Sequence, residues 1–299
     1  MNNSPELCSF ILTLKMLPNV TEEHKFRPMP IWWGRAAHAL VFDLLREVEP
    51  TLAQTIHDSS GLRPFTVSSL LRTHVEDDGK SDSGTHYRLR ITGITAEVTG
   101  HLLAGLKSGC RLSPGARLEL DYQAFDVVGI DAPDSGRPWT GLTRYDQVAA
   151  PRLGSNAQPS RRFEFSFTSP TAFHQGGKTM PIPLPGLVFG SLLERWNTFA
   201  PIKFPEETRR YAEECLGITS FNLSSRPTRL KNGGLRMGAV GEATYAALTY
   251  DRYWQSVLDV LAELAVYAGA GMMTAQGFGQ CRRKTKDDER CSGLDELSD

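Results

Sequence analysis

Residues 8–15 read Cys8-Ser9-Phe10-Ile11-Leu12-Thr13-Leu14-Lys15, and the apolar side chains at positions 8, 10, 12 and 14 alternate with Ser9, Thr13 and Lys15. Successive side chains of a strand point to opposite faces, so this period of two predicts a half-buried strand, with Ile11 the one exception. The period then changes. From Gly34 to Val48 the apolar residues Ala37, Leu40, Val41, Leu44, Leu45 and Val48 recur at helical spacing, and Pro50 stops that helix before a second short one reaching about His57. Strands are expected at Phe65–Leu71 and His86–Thr95, separated by a polar hairpin loop Glu76–Gly84, followed by a helix Glu97–Lys107 and a strand Arg117–Val127. Strand, helix, strand, strand, helix, strand is the split ferredoxin-like unit.

The second half repeats this order. Strand Arg162–Thr168, helix Leu187–Phe199, strands near Ile218–Leu223 and at Arg236–Thr244, helix Asp251–Tyr267 and strand Phe278–Arg283 duplicate the topology without duplicating the sequence. Between the halves, Asp131–Ser160 carries four Pro, three Gly and three Ser with little periodicity. The expectation is therefore α+β, with two tandem ferredoxin-like (βαββαβ) domains at 1–130 and 161–284, a linker or long loop at 131–160, and a charged, aperiodic tail at 285–299 that is expected to be disordered.

Length and composition agree with two folded domains: 299 residues are about twice the roughly 150 of an ordinary domain, and 40% are hydrophobic. Lys and Arg number 33 against 34 Asp and Glu, a net charge of -1. A polycation is excluded, so any polyanion must be held by a local patch. The five cysteines, Cys8, Cys110, Cys215, Cys281 and Cys291, are scattered and form no C-x-x-C pair, which argues against a disulfide framework or zinc ribbon and fits a reducing cytosol. The start lacks the cationic residues of a signal peptide. Leu264–Cys281 is uncharged, but its four glycines with Thr274, Gln276 and Gln280 are unsuited to hydrocarbon. A cytoplasmic protein without a membrane span is expected.

A local patch exists. Ser224–Met237 holds Arg226, Arg229, Lys231 and Arg236 with no acidic residue, a local charge of +4, and Arg161, Arg162, Lys178, Arg282, Arg283 and Lys284 fall on elements expected to share that domain's sheet. Such a surface suits a nucleic-acid backbone, although a solvated charged face is the commoner meaning of any one cluster. The second feature is residues 269–280, Gly-Ala-Gly-Met-Met-Thr-Ala-Gln-Gly-Phe-Gly-Gln, with Gly269, Gly271, Gly277 and Gly279 between a helix and the last strand. Glycines there admit either close approach of an anion to backbone amides or a tight turn at positive φ, and the sequence leaves both open. The run matches neither nucleotide-binding fingerprint, so no cofactor is expected.

Seven histidines are present without H-E-x-x-H or another compact ligand spacing, so no metal is expected. His38, within the first helix, and His57, at the end of the next, could meet where that helix pair packs on the sheet, with Arg63 six residues beyond His57. Two imidazoles suit removal and donation of protons near neutral pH. Taken singly, His38 is more often a hydrogen-bonded core residue and His57 a helix C-terminal cation favoured by the dipole. His24, His74, His86, His101 and His174 form no constellation.

The terminal Gly-x-Gly-x5-Gly-Phe-Gly loop, the block Ser169-Pro170-Thr171-Ala172-Phe173 with Pro183-Leu184-Pro185 and Leu192-Leu193-Glu194-Arg195-Trp196-Asn197, and the segments Gly34–His38 and Ile56–Asp58 together resemble the CRISPR-associated endoribonucleases of the repeat-associated mysterious protein superfamily. The resemblance spans roughly Gly34 to Arg283. It implies metal-independent cutting of precursor CRISPR RNA within its repeats, with the 2′-hydroxyl attacking the adjacent phosphate to leave a 2′,3′-cyclic phosphate and a 5′-hydroxyl. By this resemblance His57 and His38 are base and acid in an open order, and Arg63 stabilises the phosphorane charge. Repeat RNA would be gripped by Arg226, Arg229, Lys231 and Arg236 and by Gly269, Gly271, Thr274, Gln276, Gly277 and Gly279. Transfer of product to an effector ribonucleoprotein and pairing of two chains are left open. A non-catalytic RNA-binding subunit on the same fold is the alternative, and a binder of small anionic metabolites the third.

Overall fold

The structure, a computed structural model, describes residues 4–18, 30–73, 85–154, 156, 158–230 and 234–285. The expected loop Glu76–Gly84, the tail beyond Thr285, His24, His74, Cys291 and Lys231 lie outside the described residues. The first domain runs β1 (Leu7–Met16), α1 (Gly34–Val48), α2 (Pro50–Asp58), β2 (Phe65–Val67), β3 (Leu71–Thr73), β4 (His86–Gly93), α3 (Ala96–Gly105), β5 (Arg117–Leu120) and β6 (Gln123–Asp131). Its antiparallel sheet has the order β2-β4-β1-β6-β5, with β3 also on β4. Cys8, Phe10, Leu12 and Leu14 face α1 and are fully buried, as the alternation requires. Ile11 is only 6% exposed because the opposite face of β1 is covered too. There Ser9 and Arg90 meet Trp139, and Thr92 donates to the carbonyl of Tyr267 from the second domain.

The second domain runs β8 (Arg162–Thr171), β9 (Phe173–Gln175), β10 (Lys178–Met180), α5 (Pro185–Phe199), α6 (Glu207–Cys215), β11 (Leu216–Arg229), β12 (Leu235–Ala247), α7 (Arg252–Ala268) and β13 (Cys281–Arg283). Its main sheet has the order β11-β12-β8-β13. β1 thus lies between β4 and β6, and β8 between β12 and β13, the central placement of the first strand that the ferredoxin-like pattern predicts. Phe163, Phe165 and Phe167 project from alternate positions of β8 into a core closed by Phe189, Leu192 and Trp196 of α5 and Val257, Leu261 and Leu264 of α7. Burial of each such side chain contributes about 1.5–3 kcal/mol. No helix among the described residues is long and apolar enough to cross a membrane.

Residues 131–160 are more ordered than their composition suggests. They contain β7 (Gly141–Thr143), which pairs with Leu7–Ser9 of β1, and α4 (Tyr145–Leu153). Both elements are too short to show a period, so their order comes from tertiary contacts. Tyr145 is the anchor: its hydroxyl donates to the Ile94 carbonyl at 2.8 Å, and its ring meets Trp196 edge-on at 5.1 Å. Just before it, Trp139 adopts φ +70 and lies between the guanidinium groups of Arg90 and Arg282, 5.1 and 5.2 Å from its ring centre. Leu7 and Ile94 of the first domain are members of the second domain's core, so this segment joins two packed surfaces.

Other departures are local. The strand expected at Arg117–Val127 is a hairpin, β5 and β6, turned at Asp121 and Tyr122 with φ +45 and +79. The strand expected at Phe65–Leu71 is split into β2 and β3 by Ser68–Leu70. The strand expected near Ile218–Leu223 extends to Arg229 and pairs with β12 along its length. The glycine-rich segment closes against Gly34 at the start of α1: a Cβ there would lie 1.8 Å from the Gln276 carbonyl oxygen and 2.7 Å from Trp32 Nε1. Gly34→Ala is expected to lower stability by about 2 kcal/mol through this clash. Gly100→Ala, on α3 with nothing within 4 Å of its added methyl, is expected to raise it by about 0.5–1 kcal/mol. Urea denaturation of the two variants checks both signs.

Candidate active site

Helix α1 carries His38 one turn before Phe42, and α2 ends at the turn carrying His57. Pro at the first turn of α2 suits a helix start, and the burial of Ala53 and Ile56 turns His57 outward. The Phe42 ring links the two histidines, with centroids 4.7 Å from His38 and 6.1 Å from His57, and Phe65 lies 5.4 Å from His38 on the same cluster. His38 is half-buried and His57 exposed. Arg63 closes the end of α2: its Nη1 donates to the carbonyls of Ile56 and Ser59, and its Nη2 approaches that of His57 at 3.5 Å. The structure therefore brings the three predicted residues into one neighbourhood, with Arg63 also serving as a cap for orphan helix carbonyls.

His38 Nδ1 lies 2.9 Å from the carbonyl oxygen of Ala275, 237 residues away in sequence and in the other domain. Burial holds the His38 pKa below its ordinary 6.5; the Ala275 hydrogen bond opposes this, and the charges of Arg63 and His57 add to it. Among the described residues, no three His, Cys, Asp or Glu side chains are grouped so that they could hold a metal ion.

The glycine-rich segment is a folded wedge between the domains. Gly269, Gly271, Gly277 and Gly279 all take positive φ, from +64 to +95, so the tight-turn requirement is met at every one. Several of its amides are engaged within the protein. Ala270 donates to the Gly279 carbonyl, Gly271 to Ser191 Oγ, Met272 to the Ala172 carbonyl and Gly279 to the Pro170 carbonyl. Gly269, Thr274, Gly277 and Gly279 are buried, whereas Gly271–Met273 and Gln276 are half-buried. Trp32 Nε1 donates to the Gln276 carbonyl at 2.9 Å, and Gly277 bridges to Ser68, seating the wedge on the first domain.

Arg195, which the sequence offered only within a family block, organises this wedge. It is 3% exposed and, among the described residues, has no carboxylate partner. Nε donates to Ala268, Nη2 to the Gly271 carbonyl and Thr274 Oγ1, and Nη1 to Ser191. Burial pushes its pKa down to about 10, so it remains a cation at neutral pH. A charged residue recurring on the apolar stripe of α5 was the signal available in sequence. Gln280 is a second such residue: it accepts from Arg90 Nη1 at 2.5 Å and donates to the Val67 carbonyl at 3.0 Å, crossing the domain boundary.

Arg226 and Arg229 are exposed on the long β11–β12 hairpin, while Arg236 is half-buried and donates to Thr179 Oγ1 at 2.7 Å. Arg226 lies across the ladder from Gly238, which packs on Pro170 and Thr171 beside the glycine wedge. Three expected contributors to the basic surface are committed elsewhere. Arg283 pairs with Asp259 and Glu263, Lys284 with Glu164 and Glu242, and Arg282 is buried against Trp139. Their carboxylate partners come from α7, β8 and β12, which the local sequence could not reveal.

The family model for CRISPR-associated endoribonuclease Cas6 matches residues 165–281. The Mycobacterium tuberculosis CRISPR-associated endoribonuclease Cas6 is 29% identical over 242 residues, 80% of this chain and 68% of that protein. Thermus thermophilus Cas6 superposes with a TM-score of 0.66 at 26% identity, covering 95% of this chain and all of that one. A product complex of the same Cas6 gives 0.74 at 26% identity over 93% and 99% of the two chains. The product of a Cas6-related gene from Pyrococcus furiosus shares the fold, with a TM-score of 0.54 at 13% identity.

Arg195→Met keeps the bulk of the side chain but leaves the Ala268 and Gly271 carbonyls without their donor. A loss of about 3 kcal/mol is expected in urea denaturation. Arg195→Lys should recover only part of it, because one ammonium cannot reach the positions that the guanidinium spans.

Proposed function

We propose that this chain, like the Cas6 endoribonucleases it is similar to, processes precursor CRISPR RNA, and that it cuts repeat RNA without a metal, using His38, His57 and Arg63. The observation that carries this reading is the gathering of His38 and His57 around Phe42. One imidazole takes the proton of the 2′-hydroxyl while its oxygen attacks the adjacent phosphorus; the other protonates the departing 5′-oxygen as the P–O5′ bond breaks. The products are a 2′,3′-cyclic phosphate and a 5′-hydroxyl. Arg63, held beside His57 by the carbonyls it caps, contributes positive charge where the phosphorane forms.

RNA is brought to this point by the β11–β12 hairpin. Arg226 and Arg229 hold phosphates, together with Lys231, and Arg236 orients the hairpin through Thr179. Near its turn, at Gly238 opposite Arg226, the hairpin abuts Pro170 and Thr171, and the carbonyls of Pro170 and Ala172 accept hydrogen bonds from the glycine wedge, so the basic surface and His38 are mechanically continuous. Within the wedge, the half-buried Gly271 and Gln276 are the positions that face RNA. Gly269, Thr274, Gly277 and Gly279 contribute by holding the turn.

Labelled repeat RNA incubated with the protein in EDTA should be cut at one site, and the same RNA with a 2′-deoxy nucleotide there should survive. His38→Ala and His57→Ala should each slow cutting by about 10²–10⁴-fold. Cutting of the deoxy substrate, or a requirement for divalent metal, would overturn the mechanism, and tight binding without cutting would favour an RNA-binding subunit. Arg226→Ala and Arg229→Ala should each weaken binding and reduce the salt slope of log K by about 0.7–1. Filter binding across a salt series measures it.

A further inference from the structure

The proposed chemistry leaves the two histidines interchangeable; the interdomain hydrogen bond does not. A carbonyl oxygen can only accept, so the contact between His38 Nδ1 and the Ala275 oxygen requires a proton on Nδ1. The hydrogen bond made by one ring nitrogen decides the state of the other. We infer that the Ala275 carbonyl is a positioning group that holds neutral His38 as its Nδ1–H tautomer, making Nε2 the general base and leaving the general acid to His57. This assignment rests on the nuclease reading above and adds to it a role for the wedge.

Three further observations agree. Among the described residues Nε2 of His38 has no hydrogen-bond partner, and the ring is half-buried, so none of them consumes its lone pair. A base must begin neutral, and burial with the charged neighbours Arg63 and His57 favours that form of His38. His57 is exposed, where water can return the proton it gives up. In the reaction the 2′-hydroxyl proton moves to His38 Nε2 as the O2′–P bond forms. A proton from His57 moves to O5′ as the P–O5′ bond breaks, and solvent resets both imidazoles. The carbonyl that fixes the tautomer sits in the turn Thr274–Gln276, held by the Arg195 bond to Thr274 and the Trp32 bond to Gln276. The base is therefore built from both domains: the first supplies the ring and the second supplies its orientation.

A repeat RNA whose 5′-bridging oxygen at the cut is replaced by sulfur separates the roles. A thiolate leaves without being protonated, a cysteine thiol having a pKa of about 8.5. On this RNA, His57→Ala should recover most of the 10²–10⁴-fold loss it shows on the natural linkage, whereas His38→Ala should recover none. Recovery of His38→Ala in place of His57→Ala, or recovery of neither, would overturn the assignment. Two-bond proton–nitrogen correlation of the full chain labelled at histidine nitrogen reads the tautomer without any turnover. The expected pattern for His38 at pH 7 is a protonated Nδ1 with a bare Nε2; a bare Nδ1, or both nitrogens protonated, would overturn it. If the unaltered protein cuts neither RNA, the nuclease reading fails, and the nitrogen spectrum still decides the tautomer.

Discussion

A guanidinium buried without a carboxylate needs its donors occupied, because an unpaired charge in a low-dielectric interior costs several kcal/mol. Arg195 meets that demand with the Ala268 and Gly271 carbonyls and the Ser191 and Thr274 hydroxyls. Those acceptors lie on the last turn of α7, on the wedge and on α5 itself. Satisfying one side chain therefore fixes the path of the chain from α7 to β13. The same path sets where Ala275 and Gln276 present their carbonyls to the first domain, so the environment of His38 is determined from the far side of the molecule.

The boundary between the domains is polar as well as packed. Arg90, 5% exposed, reaches Ser9, the Trp139 carbonyl and Gln280, and Trp139 fills the space between Arg90 and Arg282. Directional bonds of this kind define one relative placement more sharply than apolar contact alone, which has no preferred angle. The proposed catalytic pair, positioned partly by one domain and partly by the other, would benefit from such definition, since small displacements of reacting groups are costly in rate.

Much of the fold was legible because both halves obey simple periods. Cys8, Phe10, Leu12 and Leu14 marked the central strand, and the spacing of Leu40, Val41, Leu44 and Leu45 marked the helix that covers it. The elements that the periods do not mark, among them β7, β9, β10, α4, α6 and the outer half of β11, are short, polar or exposed. At the site, His38, His57 and Arg63 were visible as chemistry-bearing residues on adjoining segments. The glycine segment was ambiguous for a physical reason: anion binding and tight turning both call for positive φ, and only the partners of its amides separate the two. Arg283 and Lys284 looked free for the same reason in reverse, since neutralising carboxylates arrive from other elements.

The bond between His38 and Ala275 joins positions 237 residues apart, and the shorter separations of helix and hairpin contacts are all closed before it during synthesis from the N-terminus. The first domain can bury most of its core while the wedge, which adds Ala275 to that core, has yet to be made. His38 then sits in a folded helix with nothing to choose between its two ring nitrogens. Completion of strand β13 beside β8 brings the wedge into place, so the chain acquires shape early and the carbonyl that orients His38 late.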